Sequence, residues 1–404
     1  MTTSTHPPAG RVLTLNGGSS SVKFARFDPG DPPRRTLAGA VERAGTDAAT
    51  LRVAVPGRPA VRHPLPAADG LLDWLGAAGH LDGVTAVGHR IVHGGPTHFD
   101  PTPITAAVLA DLRRAVPFDP AHLPGELELV AAVGRRLPGV VQVACFDTAF
   151  HRDLPAVARA LPIPRRYAAA GVRRYGFHGL SYAYLLGELG RVAGPAAAGG
   201  RVILAHLGSG ASLAAVRGGK CIDTTMGLTP AGGLVMGTRT GDLDPGVLVH
   251  LLRTDGLSAD ALDRLVNRES GLLGMSETSA DLHDLLAQQG TDPRAAEAVE
   301  LFCYQARKWV GAMAAALGGL DTLVFAGGIG EHAAEVRGRI CDGLGFLGVR
   351  LDPAANVAHA PVISAGGPVS VRVIPTDEEV QIARSVFAVL APPPTPAPEA
   401  TAHA

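Results

Sequence analysis

Eight short stretches of this chain gather the residue types that handle phosphate and carboxylate groups. The first, LNGGSSSVKF at residues 15–24, sets two glycines, three serines and Lys23 between two apolar runs. Glycine lets backbone approach a ligand, serine hydroxyls donate, and lysine brings a point charge. Ser19 and Ser21 are its candidate phosphate donors, although a Ser/Gly hairpin turn would use the same residues. It is not a Walker A loop, because no glycine precedes Lys23 in the G-x-x-x-x-G-K spacing. FAGGIGEH, residues 325–332, ends an apolar run and opens a helical one, where free N–H groups and the helix dipole favour anions. A third Gly-rich turn lies in RVILAHLGSGASLAAV, residues 201–216. Each alone reads as an ordinary turn. Three in one chain point to a nucleotide.

The remaining stretches carry charge. GHRIVHGG, residues 88–95, holds Arg90 between His89 and His93. The i,i+4 histidines would pair on a metal only if helical, and the flanking glycines and β-branched residues argue against a helix. Arg90 can hold a carboxylate or phosphate by two parallel bonds, or lie on the surface. ACFDTAFH, residues 144–151, puts Asp147 just past an apolar strand, where α/β sheets bind ligands. It could bind metal, polarise a nucleophile or cap a turn. RRYGFHGLSY (173–182) and GLTPAGGLVMGTRTGDLDPG (227–246) surround His178 and Arg239 with glycine. Rigid cations in such loops suit a transferring phosphoryl group, although two surface loops would look similar. In IPTDEEV (374–380), Glu378 and Glu379 either hold Mg²⁺ or serve as N-terminal helix carboxylates.

The framework for these stretches reads as α/β. RVLTL, SVKFARF, VTAVGHRIV and VVQVACF predict strands, and residues 104–116 and 123–137 predict helices. A second series starts near residue 201, with strands RVILAHL, ASLAAV and TLVFAGG and helices over 294–317 and 331–344. RVLTLNGGSSSVKFARF and RVILAHLGSGASLAAV share one grammar of strand, Gly/Ser turn and strand, which suggests duplicated domains around a shared cleft. A length of 404 residues with 46% hydrophobic content supports two or three domains. With 36 basic against 37 acidic residues, neither nucleic acid nor an anionic membrane is expected as a partner. Four scattered cysteines fit a reducing compartment, and no leader peptide or apolar span is evident, so a cytoplasmic protein is expected. The Pro/Ala-rich ends, 1–10 and 392–404, are expected to be disordered tails.

The ordered series LNGGSSSVKF, GHRIVHGG, CFDTAFH, RRYGFHG, DTTMGLTP, VMGTRTGDLDPG, AGGIGEH and IPTDEE resembles the acetate kinase family, from residue 12 to about residue 388. The resemblance implies two duplicated ribonuclease-H-like domains of the actin and sugar-kinase type, with the active site in the cleft between them. It divides the chain into an N-terminal domain, 11–147, a C-terminal nucleotide-binding domain, 148–376, and a helix, 377–391, that returns to the N-terminal domain. It implies a homodimer that moves phosphate between ATP and acetate, yielding ADP and acetyl phosphate, with Mg²⁺ (or Mn²⁺). Asn16 and Glu378 would serve the metal and Lys23 the nucleotide phosphates. Arg90 would clamp the carboxylate. Val92, Ala121, Phe177 and Pro230 would line the methyl pocket beside His122. Asp147 would be the catalytic carboxylate. A carboxylate substrate is already ionised at neutral pH, so a general base is hardly needed and Asp147 is read as a positioning group. His178 and Arg239 would stabilise the phosphoryl group in flight. The nucleotide would lie along His206, Leu207, Gly208, Ser209 and Gly210, along Asp281, Leu282 and His283, and along Gly328, Ile329, Gly330, Glu331 and His332.

The chain departs from the family pattern at Ser209 and His332, where asparagine is usual, and at Leu282-His283, where the family reads Phe-Arg. These changes point to a lower affinity for ATP or an altered base selectivity, with a different phosphoryl donor as the alternative. PAHLP at 120–124 replaces PLHNP, so Ala121 predicts a wider acyl pocket, with propionate or another short carboxylate as the alternative substrate. A non-catalytic, nucleotide-gated binding protein is the alternative from another class. It has no need of Arg90, Asp147, His178 and Arg239 together.

Overall fold

The computed structural model describes residues 10–18, 21–42, 49–64 and 70–392. Ser19 and, apart from Gly10 and Pro392, the two expected tails lie outside the described residues.

Two sheets form the framework. The first contains β1 (Arg11–Gly17), β2 (Ser21–Asp28), β3 (Arg34–Glu42), β4 (Thr50–Ala54), β5 (Val61–Pro64), β6 (Val84–Ile91), β7 (Thr102–Pro103) and β8 (Val141–Phe146). The second contains β9 (Arg201–Leu207), β10 (Ala211–Arg217), β11 (Lys220–Thr224), β12 (Thr322–Ala326) and β13 (Ser370–Val373). Among the described residues the strand orders are β5-β4-β3-β2-β1-β6-β8-β7 and β11-β10-β9-β12-β13. In each, one antiparallel meander leads into two parallel strands: β3-β2-β1-β6-β8 and β11-β10-β9-β12-β13 follow the same rule. The shared turn grammar is therefore a shared topology, the ribonuclease-H-like pattern used twice.

Why these segments are strands follows from burial on both faces. Val12, Leu13 and Leu15 of β1 are fully buried, as are Val202, Ile203 and Leu204 of β9, and continuous apolar runs of this kind are what a covered sheet demands. The helix Pro293–Leu317 covers one face of the second sheet with Ala295, Ala298, Val299, Phe302, Ala306 and Val310, spaced at one helical stripe. Asp292 caps its start and Gly318, at φ 73°, ends it. The helix Gly179–Ala193 covers the other face through Tyr182, Leu185 and Leu189. Its first turn is GLSY, so the glycine-dense stretch 173–182 runs from a loop into a buried helix.

The helix Glu378–Leu390 lies on the first sheet. Ile382 and Val386 pack with Val12, Ala86, Val143 and Leu180, which ties both halves of the molecule to one cluster. Gly88 makes this contact possible: a Cβ there would stand 2.5 Å from Ile382 and 2.6 Å from Val386. Asp377 caps the helix at the Val380 N–H, 3.1 Å, and receives both Arg35 contacts. No helix among the described residues is long and apolar enough to cross a membrane.

Candidate active site

The carboxyl-terminal ends of β1, β6 and β8 face those of β9 and β12 across a cavity of about 570 Å³. Asn16, Lys23, Arg90 and Asp147 line it from the first sheet, and His178, His206, Arg239 and Glu331 from the second half. The topology thus brings together residues that the chain spreads over more than three hundred positions.

Arg90 leaves β6 almost buried. Its Nε and Nη2 donate to Asp147 Oδ2 at 2.9 and 2.6 Å, and Nη1 donates to Gly17 O at 2.7 Å and Glu126 Oε1 at 3.0 Å. A guanidinium has five N–H donors, so one on Nη2 is left for a ligand. Burial works against its charge, but Asp147 and Glu126 outweigh that and hold its pKa above the ordinary value. Arg90 is therefore a half-committed anchor rather than the free two-pronged clamp expected. Glu126 went unnoticed in the sequence. It occupies the buried stripe Leu123, Glu126, Val130, Val133 of the helix Leu123–Arg136, and a lone charge on an apolar stripe was the available signal. Burial pushes its carboxyl up to about 8, against the pull of Arg90 and the Val92 N–H.

His178 has left-handed backbone, φ 57° and ψ 24°, just before the helix Gly179–Ala193. Such a conformation in a non-glycine residue marks a constrained position. Its ring stacks on His206 with centroids 4.3 Å apart. His178 Nδ1 meets Ser212 Oγ at 2.8 Å, and His206 Nδ1 meets Ser181 Oγ at 2.8 Å. Burial, reinforced by neighbouring positive groups, pulls the His178 pKa well below its ordinary value, and burial takes His206 down to about 4. Both rings are neutral at pH 7. His178 can still donate a hydrogen bond, but it brings no full charge.

That charge comes from Arg239. Its Nη1 donates to Pro230 O at 3.2 Å, and among the described residues it has no ion-pair partner. Burial lowers its pKa, yet an arginine stays charged. Between His178 and Arg239 lies the gap left by Gly210: a Cβ there would stand 3.3 Å from His178 Nε2 and 3.7 Å from Arg239 Nη1. Backbone without a side chain at this point gives an anion access to both donors.

One side of the cavity is built from oxygens. Asp147 Oδ1 is buried and, among the described residues, has no partner. Asn16 Nδ2 donates to Glu378 Oε2 at 2.8 Å and to Glu379 Oε1 at 3.2 Å, turning both carboxylates toward the cavity that they line. Burial raises the pKa of both glutamates. Among the described residues no three His, Cys, Asp or Glu side chains form a ready-made metal cluster. One or two carboxylates completed by substrate phosphates and water is the pattern Mg²⁺ accepts, so the residues fit that ion. The histidine pair of GHRIVHGG is not a metal site. His89 Nε2 is held by Gln142 at 2.8 Å and His93 Nδ1 accepts from the Gly95 N–H at 2.8 Å.

On the nucleotide side, Gly208, Ser209, Gly210, Gly328 and Glu331 reach the cavity, and Ser21 lies at its edge. Glu331 Oε1 accepts from the Gly327 and Thr376 N–H groups at 2.9 and 3.1 Å, fixing the Gly327–His332 turn. Arg337, fully buried, holds the Gly330 and Glu331 carbonyls at 2.8 and 2.9 Å. Other expected nucleotide residues lie elsewhere. Leu207 and Leu282 are core side chains. Asp281 caps a helix at the His283 N–H, 2.9 Å. His283 and His332 point to solvent, with side chains 92% and 78% exposed. Ile329 is half-buried and Gly330 lies against Phe325.

Val92, Phe177, Pro230 and His122 line the cavity with the polar groups. Ala121 does not. It is exposed and borders two side cavities, while the neighbouring Leu123 is locked in the core at 0% exposure. The loop turns at Asp119, whose carboxylate accepts from the His122 N–H at 3.1 Å, and this directs His122 inward and Ala121 outward.

Residues 11–384 match the acetokinase family. The chain is 45% identical to the acetate kinase of Rhodopseudomonas palustris (strain TIE-1) over 389 residues, which span 93% of this chain and 97% of that one. The solved acetate kinase of Porphyromonas gingivalis superposes with a TM-score of 0.86 at 37% identity, over 95% of this chain and 100% of the other. A solved propionate kinase from Francisella tularensis subsp. tularensis SCHU S4 superposes with a TM-score of 0.87 at 33% identity, over 93% of this chain and 99% of the other. With the doubled topology and the shared cleft, these matches lead to one conclusion: the chain belongs to the acetokinase family.

Proposed function

We propose that this chain transfers the γ-phosphoryl group of ATP reversibly to acetate, giving acetyl phosphate and ADP. The observation that carries the reading is the pairing of an unneutralised Arg239 and a neutral His178 across the Gly210 gap, opposite Arg90 and Asp147. One acetate oxygen forms the new P–O bond as the bond from the γ-phosphorus to the bridging β–γ oxygen breaks, and that oxygen leaves with ADP. The acetate oxygen carries no proton to remove, so no general base is required. Val92, Phe177 and Pro230 meet the methyl group, and the remaining Arg90 N–H binds the carboxylate. His178 and Arg239 donate to the equatorial oxygens, where charge is spread in the transition state. The Gly208–Gly210 turn, Gly328 and Glu331 seat the nucleotide, and Lys23 meets its phosphates. Mg²⁺, held by Asp147 and Glu378 with Glu379 and Asn16 behind them, would neutralise phosphate charge.

The active form is a homodimer in this reading. Leu243, Val247, Val249 and Leu252 on and beside the helix Pro245–Thr254 are 42, 40, 43 and 38% exposed, and that helix buries none of its residues. Exposed apolar side chains gathered on and beside one short helix suit burial against a second copy of the chain. Four free, buried cysteines suit a reducing cytoplasm.

An acyl-hydroxamate assay on the purified protein tests the activity, with acetate, propionate and butyrate against ATP, GTP and pyrophosphate, each with and without Mg²⁺. Metal-dependent acetyl hydroxamate from ATP is expected. Nucleotide binding with no acyl phosphate from any carboxylate would instead establish a nucleotide-gated binding protein.

A further inference from the structure

Behind His178 lies a chain of hydroxyls that nothing in the reaction so far uses. Ser212, on β10, and Tyr182, on the first turn of the helix Gly179–Ala193, are both fully buried. The Tyr182 hydroxyl stands 2.5 Å from Ser212 Oγ, and Ser212 Oγ stands 2.8 Å from His178 Nδ1. Ser212 is opposite His206 in the β9–β10 register, so the same strand pair that carries one stacked imidazole supports the other.

The direction of the protons follows from counting. Tyr182 has one proton, and among the described residues Ser212 is the one partner of its hydroxyl. If His178 donated from Nδ1, Ser212 would either accept from Tyr182 as well, leaving its own proton without an acceptor, or pass that proton to the Tyr182 oxygen. In the second case the tyrosine proton would be buried without an acceptor, and either arrangement is costly. If Tyr182 donates to Ser212 and Ser212 donates to Nδ1, each hydroxyl proton has an acceptor. The imidazole proton is then on Nε2, the nitrogen facing the Gly210 gap beside Arg239. Burial raises the Tyr182 pKa, which keeps the first proton of the series in place.

We propose that Ser212 and Tyr182 are positioning residues that hold His178 as its Nε2–H tautomer, aimed at the transferring phosphoryl group. The proposal rests on the carboxylate-kinase reading for its purpose but not for its geometry. A neutral imidazole in water divides its proton between two nitrogens. This chain places it on the one nitrogen that can donate into the cleft. Glycine at 210 and serine at 212 then have linked roles: one opens the space, the other points the donor into it.

The test uses the intact protein labelled with ¹⁵N-histidine, with the His178 signals assigned by loss in His178→Gln. The expected native spectrum shows Nε2 protonated and Nδ1 bare, measured without turnover. In Ser212→Ala the Nδ1–H form should appear, and kcat should fall roughly 10- to 100-fold with both KM values within about threefold. Ser212→Thr retains the hydroxyl and should recover most of that loss. Tyr182→Phe leaves Ser212 in place and should cost less, roughly 3- to 10-fold in kcat. A native His178 protonated at Nδ1, or kcat unchanged in Ser212→Ala, overturns the proposal. If Ser212→Ala does not fold, the native spectrum and Tyr182→Phe decide. Should the native protein make no acyl phosphate, the functional reading falls while the spectrum still judges the tautomer.

Discussion

Arg90 grips a single oxygen of Asp147 with two nitrogens, Nε at 2.9 Å and Nη2 at 2.6 Å, and leaves the other carboxylate oxygen buried and, among the described residues, unpaired. The two arginines of the cleft therefore have different jobs. Arg90→Ala leaves the buried Asp147 carboxylate without its counter-charge and strips a hydrogen bond from the Glu126 carboxyl, and should destabilise the fold by about 3–5 kcal/mol as well as raise KM for acetate. Arg239 supports no ion pair, so Arg239→Ala should leave urea stability within about 1 kcal/mol and lower kcat by about 10³-fold or more. Equal losses of stability in the two variants would contradict this division.

Gly210→Ala gives a narrower test of the cleft. The added methyl would lie 3.3 Å from His178 Nε2 and 3.7 Å from Arg239 Nη1, in the space assigned to the phosphoryl group. The Gly210 backbone does not need a positive φ, so the variant should fold normally. We expect kcat to drop by roughly 10²-fold, with far-UV circular dichroism and thermal midpoint nearly unchanged. Wild-type kcat in this variant would move the site of transfer away from Gly210.

Chain-length selection should follow Val92 and not Ala121. Val92 is buried and lines the cleft, whereas Ala121 borders two side cavities and is exposed. Val92→Ala should raise kcat/KM for propionate relative to acetate by roughly 10-fold, and Ala121→Leu should move that ratio by less than about threefold. Steady-state kinetics with both acids settles it. The reverse ranking would restore the widened pocket expected from the PAHLP sequence.

Acid should weaken the fold through its buried histidines. Burial takes His89, His93, His151 and His206 each from the usual 6.5 down to about 4. In that window the unfolded chain binds protons that the folded chain refuses, so stability rises with pH. It is fully present above 6.5 and lost as pH falls toward 4. Each histidine is worth on the order of 3 kcal/mol across the window. Urea midpoints measured at stepped pH should fall through this range by less than the four rings alone would give, because the raised Glu126, Glu378 and Glu379 carboxyls oppose them. Histidine NMR signals that titrate near 6.5 would show that the rings are not held neutral.

Much of this architecture was legible because its strands are continuous apolar runs buried on both faces, as in β1 and β9. What escaped had a mixed pattern. β3, RRTLAGAVE, is only partly buried, and β13 has four residues, two of them buried. Residues 179–182 hid a helix start because glycine at 179 reads as a loop. The structure needs it for contact, since a Cβ there would stand 2.1 Å from the Asp147 carbonyl. For the site, motif residues gave Asp147, His178 and Arg239. Partners that act through them, such as Glu126 and Ser212, have no local signature. Their role exists only once distant segments meet.

Asn16 and Glu378 are 362 residues apart, yet they share a hydrogen bond at the carboxylate side of the cleft. Synthesis runs in one direction, so this feature sets a calendar. A nascent chain can build both sheets and still lack the carboxylates of residues 378 and 379 and the apolar cover that Ile382 and Val386 lay over β1 and β6. Phosphoryl transfer can begin only after almost all of the chain has been made. A product interrupted upstream of residue 378 would expose the bare sheet, and it would be marked for removal by that apolar surface rather than persisting as a half-active enzyme.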